Sequence, residues 1–177
     1  MLICTDVDYR PDGTARAAGV LFREWTDATP TWELVVPVPQ VEPYQPGEFY
    51  RRELPCLLAL LEGAAQVHTL DAVVIDGYVT LDAGGRAGLG AHLFAALNQQ
   101  VPVIGVAKTA FQGSGHALAV TRGGSLNPLF VTAAGTDIAQ AAAQIARMAG
   151  PHRLPTLLKR ADTLCRSKKL LENAGER

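Results

Sequence analysis

Cysteine is scarce in this chain. Cys4, Cys56 and Cys165 are odd in number, scattered, and form no CxxC pair. That pattern excludes a disulfide framework and a zinc ribbon, and it reads as reduced thiols in a cytoplasmic protein. Long apolar runs are missing too. A stretch such as Leu57-Leu58-Ala59-Leu60-Leu61 is far short of the roughly 20 residues needed to cross a bilayer, so no membrane partner is expected. No basic segment leading into an apolar stretch opens the sequence, so no secretion signal is read. An excess of positive charge is also absent: 16 Lys and Arg stand against 17 Asp and Glu, for a net charge of −1. This argues against indiscriminate nucleic-acid binding, yet leaves room for an acidic site offset by a bound cation. Several motifs are lacking as well. Gly88-Leu89-Gly90 has no third glycine for a dinucleotide fingerprint, and there is no Walker loop and no HExxH. Gly113-Ser114-Gly115 lacks the GxSxG spacing of a nucleophile elbow.

What is present is a globular composition, 48% hydrophobic and 19% charged over 177 residues, enough for one domain (1–177) with a sizeable core. The alternation of Leu2 to Tyr9 predicts a strand with Leu2, Cys4, Asp6 and Asp8 on one face. After the turn signal Pro11-Asp12-Gly13, strands are expected at Ala17 to Trp25 and Thr31 to Val38, which together make a three-strand meander. Val41 to Gly47, with its prolines, reads as extended loop. A helix is expected from about Pro55, tolerated in its first turn, to Ala65. Beyond it strands and helices alternate: a strand at Asp71 to Asp76, a helix at Gly88 to Gln100 and a strand at Val101 to Val106. Weaker strands follow at Ala117 to Arg122 and Leu129 to Thr132, then helices at Asp137 to Met148 and Thr156 to Lys169. A meander followed by alternation predicts an α/β fold, a mixed sheet with helices packed on it.

The acidic residues are the most informative. Asp6 occupies a position where inward-facing alternation asks for an apolar residue, and Asp76 ends the run Ala72-Val73-Val74-Ile75 with no polar relief before it. Open α/β sheets bind ligands outside such strand ends. A carboxylate there is costly to desolvate alone, whereas two or three converging ones form a hard-oxygen site suited to Mg²⁺. Spacing alone leaves the alternative of strand-end caps and turn acids open. Lys108 ends its own strand as Asp76 does. It is either a solvated terminus or a cation placed to stabilise charge on a phosphate. His92 and His116 read as structural or exposed. The basic cluster Lys159-Arg160, Arg166 and Lys168-Lys169 is equally well a solvated helix face or a phosphate contact.

These segments occur in the order of a known family. Asp6-Val7 lies in a first strand. Pro43-Tyr44-Gln45-Pro46-Gly47 leads at fixed spacing to Arg52-Glu53-Leu54-Pro55, and Val74-Ile75-Asp76-Gly77 ends a strand. Gly88-Leu89-Gly90-Ala91-His92-Leu93 opens a helix, and Ile104-Gly105-Val106-Ala107-Lys108 is followed by Asn127-Pro128-Leu129, Arg153-Leu154-Pro155 and Arg160-Ala161-Asp162. The combination resembles endonuclease V over residues 3 to 166. The resemblance implies a ribonuclease H-like fold with a mixed, five-stranded central sheet flanked by helices. It further implies that Asp6, Glu53 and Asp76 bind Mg²⁺ (or Mn²⁺ as a substitute), with Asp162 at a fourth ligand position and Lys108 as the catalytic lysine. Tyr44, between Pro43 and Pro46, corresponds to the wedge that enters the nucleic-acid stack, and Gly47 and Gly77 are candidates to line the base pocket. The implied activity is hydrolysis of a phosphodiester bond 3′ to a deaminated base, usually hypoxanthine, in DNA or RNA. The protein would act as a monomer and leave 3′-hydroxyl and 5′-phosphate ends.

The sequence departs from the family in three places. The family commonly opens with a helical segment before its first strand, which here begins at residue 2. Phe49-Tyr50-Arg51-Arg52 replaces a more apolar stretch. After Asp76-Gly77, Tyr78 to Gly88 is one residue longer than the family's loop beside the base pocket and lacks its histidines. Two other readings remain open: a metal-dependent nuclease with a structural target such as a flap or mismatch, and a noncatalytic nucleic-acid-binding module of the same fold.

Overall fold

The computed structural model describes residues 1–43, 45–111, 113 and 115–167. The N-terminal alternation becomes β1 (Leu2–Tyr9), which pairs antiparallel with β2 (Ala15–Phe22), and β3 (Trp32–Val38) completes the expected meander. Strand β2 stops three residues before Trp25 because the Asp27 carboxylate accepts the Arg23 and Glu24 N–H groups, each at 3.0 Å, and turns the chain out of the ladder.

Helix α1 runs over Phe49–Ala65, six residues earlier than the expected start, so Pro55 lies in its interior. A proline there forfeits the bond to the Arg51 carbonyl. Pro55 and Arg51 are both exposed, so water can serve that carbonyl. The correction matters for function, since it places Glu53 on a helix and not in the loop before one. Then come β4 (Ala72–Asp76), α2 (Leu89–Ala96) and β5 (Val103–Ala107). The α2 helix falls short of Gln100 because Asn98 and Gln99 take left-handed φ angles of 53° and 59°. Strands β6 (Leu118–Val120) and β7 (Leu129–Ala134) precede α3 (Ile138–Arg147) and α4 (Thr156–Arg166). The Asp137 side chain caps α3 by accepting the Gln140 N–H at 2.9 Å. The last residues of the expected α4, Lys168 and Lys169, lie outside the described residues.

The sheet order is β3-β2-β1-β4-β5-β7-β6, seven strands where five central ones were expected. Strands β1, β4 and β5 are parallel neighbours, flanked by antiparallel β2–β3 on one side and β7–β6 on the other. One face carries α3 and α4 over Leu2, Cys4, Val20, Val74, Val106 and Val131, and the other carries α1 and α2 over Ile3, Leu21, Val73 and Ile75. All three cysteines are free thiols, and all three are buried. Among the described residues no helix is long and apolar enough to cross a membrane. Parallel β1, β4 and β5 set their C-terminal ends side by side, which brings Asp6, Asp76 and Lys108 to one edge.

Candidate active site

Gly105 in β5 sets how closely this edge is packed. A Cβ there would lie 2.5 Å from the Gly77 carbonyl oxygen, 2.8 Å from Thr132 Oγ1 and 2.9 Å from the Val79 nitrogen. Its absence lets the turn after Asp76 lie flat on the sheet, where the Val79 N–H donates to Thr132 Oγ1 at 2.8 Å. Gly77 needs its own freedom, at φ 141°, to make that turn.

Four carboxylates and one lysine are electrostatically coupled around this edge. Asp6 shares its strand face with Leu2 and Cys4, toward α4, which carries Asp162; Glu53 approaches from α1 on the opposite face. Burial pushes the Glu53 carboxyl up to about 8, and the charges of Asp6 and Asp76 push it the same way. Asp6 is raised to about 6, chiefly by burial, with Asp76 and Asp162 adding repulsion. The Val7 N–H, which donates to Asp6 Oδ1 at 2.8 Å, and the Lys108 charge offset part of this. Asp76 is paired: Lys108 Nζ donates to its Oδ2 at 2.5 Å. Burial alone would lower the Lys108 pKa, but the Asp76 bond and the charges of Asp76, Asp6 and Asp162 raise it. Asp162 is neutralised on its own helix, by Lys159 and by Arg166 at 2.8 Å, which together outweigh its burial and lower its pKa. Helix spacing of three and four residues made that pairing foreseeable.

The fold thus brings Asp6, Glu53, Asp76 and Lys108 together and leaves Asp6 and Glu53 short of positive charge. That deficit, on hard carboxylate oxygens, fits a divalent cation such as Mg²⁺, which needs only one or two carboxylates and keeps its remaining waters. Among the described residues no three His, Cys, Asp or Glu side chains stand close enough to enclose an ion as placed. By chemistry and charge, Asp6, Glu53 and Asp76 are the residues that could hold such an ion, whereas Asp162 is already balanced by Lys159 and Arg166.

The segment expected to form a wedge is described only on either side of residue 44. Tyr44 lies outside the described residues. Pro43 lines a groove of about 340 Å³ with Gln40, Val41, Glu42, Arg52, Pro55 and Cys56, none of them a member of the acid cluster. Pro46 and Gly47 form a turn closed by the Glu48 N–H on the Gln45 carbonyl at 3.1 Å. The divergent Tyr78–Ala87 loop is a closed hairpin. Thr80 bridges Ala87, the Leu81 N–H donates to the Arg86 carbonyl, and Asp82 pairs with Arg86 at 3.2 Å. Sequence reasoning placed Arg153 in a family segment and Tyr78 in the altered loop but gave neither a role on this edge. Both make contacts distant in sequence to backbone carbonyls, and no local pattern reports such contacts.

The family model for endonuclease V matches residues 1–135, a span that includes Asp6, Glu53, Asp76 and Lys108 but not Asp162. An endonuclease V from Nostoc sp. is 32% identical over 124 residues, covering 70% of this chain and 53% of its own length. The chain therefore spans about half the length of this curated relative. The crystal structure of endonuclease V from Streptomyces avermitilis, 27% identical, superposes with a TM-score of 0.72 over 93% of this chain and 79% of that one. Endonuclease V from Ciona intestinalis, in complex with a DNA 24-mer containing an inosine followed by a ribo-adenosine, shares the fold. It is 19% identical with a TM-score of 0.75, over 93% and 83% of the two chains.

Proposed function

The chain belongs to the endonuclease V family, and from that membership and the acid cluster we propose that it is a metal-dependent endonuclease that hydrolyses a phosphodiester bond 3′ to a deaminated base. The observation that carries this reading is the gathering at one sheet edge of Asp6 from β1, Asp76 from the end of β4 and Lys108 from just beyond β5, with Lys108 bonded to Asp76 and Glu53 of α1 feeling the charges of Asp6 and Asp76. Asp6, Glu53 and Asp76 would hold Mg²⁺, or Mn²⁺ in its place. When bound, that ion supplies activation of the attacking water and neutralisation of charge on the phosphoryl oxygens. Lys108, whose side chain is about half exposed, would exchange its Asp76 partner for a substrate phosphate oxygen and stabilise charge as it develops. Tyr44, stiffened by Pro43 and Pro46, would fill the space vacated by the extruded base. Extrusion costs a few kcal/mol, and less at a mispaired hypoxanthine.

The inosine-containing DNA bound by the Ciona relative supports hypoxanthine as the target. The closed Tyr78–Ala87 hairpin, which differs from the family's loop, favours a second reading of the target alone: the same hydrolysis directed at a flap or mismatch. End-labelled DNA and RNA strands carrying one inosine, beside unmodified, mismatched and flapped strands, separate these. One Mg²⁺-dependent nick beyond inosine is the expected result. Cutting that ignores inosine but follows a junction selects the second reading, and no cutting by folded protein overturns both.

A further inference from the structure

Strand β5 ends at Ala107, so the ladder does not hold the backbone that carries Lys108 onward. Two side chains from elsewhere do so. Arg153 donates to the Lys108 carbonyl and, at 2.7 Å, to the Pro128 carbonyl. Tyr78, 9% exposed and two residues past Asp76, donates its hydroxyl to the next carbonyl, that of Thr109, at 2.8 Å. The same hydroxyl accepts the Phe111 N–H at 3.2 Å, and the two rings meet at a centroid distance of 6.3 Å. A phenol can donate once and still accept, so one oxygen fixes both ends of the Thr109–Phe111 turn.

From this geometry we infer that Tyr78 is a positioning residue for Lys108. Its hydroxyl pins the peptide that follows the lysine and so holds the ammonium at the Asp76 edge of the site. A lysine side chain is long and flexible, and where its tip can dwell depends on how firmly its Cα is held. Tyr78 also roots the Tyr78–Ala87 hairpin. That hairpin touches the segment after Lys108 twice more, through Thr80 and His116 at 3.0 Å and through the Arg86 guanidinium over the Phe111 ring at 5.7 Å. The loop in which this chain departs from its family is thereby tied to the lysine.

The functional part of this inference rests on the nuclease reading; the structural part does not, and the test separates them. Tyr78→Phe keeps the ring and removes only the hydroxyl. The first readout is acylation of Lys108 by acetic anhydride, followed by mass spectrometry with Lys159 of the same molecule as reference. Loss of the pin should speed Lys108 modification at least about twofold relative to Lys159, by freeing local motion. The second readout is cleavage under Mg²⁺. Misplacing a catalytic group by an ångström costs up to ~100-fold, so kcat should fall roughly 10- to 100-fold with KM nearly unchanged. Against a Lys108→Ala background, Tyr78→Phe should cost nothing more, since the residue it positions is gone. Unchanged Lys108 reactivity, or an equal loss with and without the Lys108 side chain, overturns the inference. A wild-type protein that cuts nothing defeats the nuclease reading, while the acylation comparison still decides whether Tyr78 pins Lys108.

Discussion

Replacing Glu53 by glutamine removes a carboxyl that the metal-free fold must hold protonated, and it should stabilise the protein while ending catalysis. The sign follows from the direction of the shift. The Glu53 carboxyl keeps its proton in the fold up to about pH 8 but loses it near 4.5 when unfolded. The native state binds the extra proton throughout that interval. Stability is therefore full below about pH 4.5 and is lost as pH rises toward 8. Each pH unit is worth about 1.4 kcal/mol, so roughly 3 kcal/mol is lost by pH 7, with a ceiling near 5. Asp6, raised to about 6 from 3.8, acts in the same direction over the lower part of the window. For a chain of this length, 1 kcal/mol moves Tm by ~2–4 °C. In EDTA at pH 7, Glu53→Gln should thus melt roughly 6–12 °C above wild type, and the two should converge toward pH 4.5. Calorimetry across pH 4.5 to 9 reads this directly. Mg²⁺ added at pH 8 should raise the wild-type Tm and leave Glu53→Gln nearly unmoved. Parallel Tm profiles for the two proteins across the whole range would refute the reasoning, because Glu53 would then hold its proton no more tightly in the fold than in the unfolded chain.

Asp162→Asn should reduce cleavage less than Asp6→Asn does, since Lys159 and Arg166 already balance Asp162; equal losses in single-turnover assays would return Asp162 to the metal site. Gly105→Ala should destabilise by ~2 kcal/mol or more, because the added methyl meets the Gly77 carbonyl and Thr132 rather than a flexible side chain. An unchanged urea midpoint would show that the turn after Asp76 is not closely packed. Tyr44→Ala should weaken binding to an inosine strand while leaving Mg²⁺ affinity intact. Calorimetric titrations of both ligands check this, and equal loss of the two would remove Tyr44 from the wedge role.

The strands were legible in the sequence because their side chains carry the pattern. Leu2 to Tyr9 alternates, and Ala72 to Ile75 and Val103 to Ala107 are apolar throughout, as buried parallel strands must be. Asp6 and Asp76 stood out because each interrupts such a pattern. Glu53 did not. Pro55 suggested a helix start, and the polar run before it, Arg51-Arg52, hid the first two turns of α1. Convergence was not legible at all. Asp6 and Asp76 meet because β4 crosses over to pair with β1, and Glu53 reaches them from the helix on the other face. Spacing along the chain records none of this. The basic cluster near the end read as a solvated face or a phosphate contact, and the i, i+3 and i, i+4 offsets that pair Lys159 and Arg166 with Asp162 were passed over. The Tyr78 hydroxyl, 31 residues from its Thr109 acceptor, had no local signature.

Single-turnover cleavage of an inosine-containing strand by wild-type and Asp76→Ala protein, each with Mg²⁺ and with EDTA, tests the central claim most directly. The Lys108–Asp76 pair is a partly exposed contact worth at most about 1 kcal/mol, so the variant should stay folded. The expected result is one nick beyond inosine by wild type with Mg²⁺, and none by wild type in EDTA or by Asp76→Ala under either condition. Cleavage by folded Asp76→Ala at the wild-type rate would contradict the assignment of the acid cluster as the metal-binding, catalytic site.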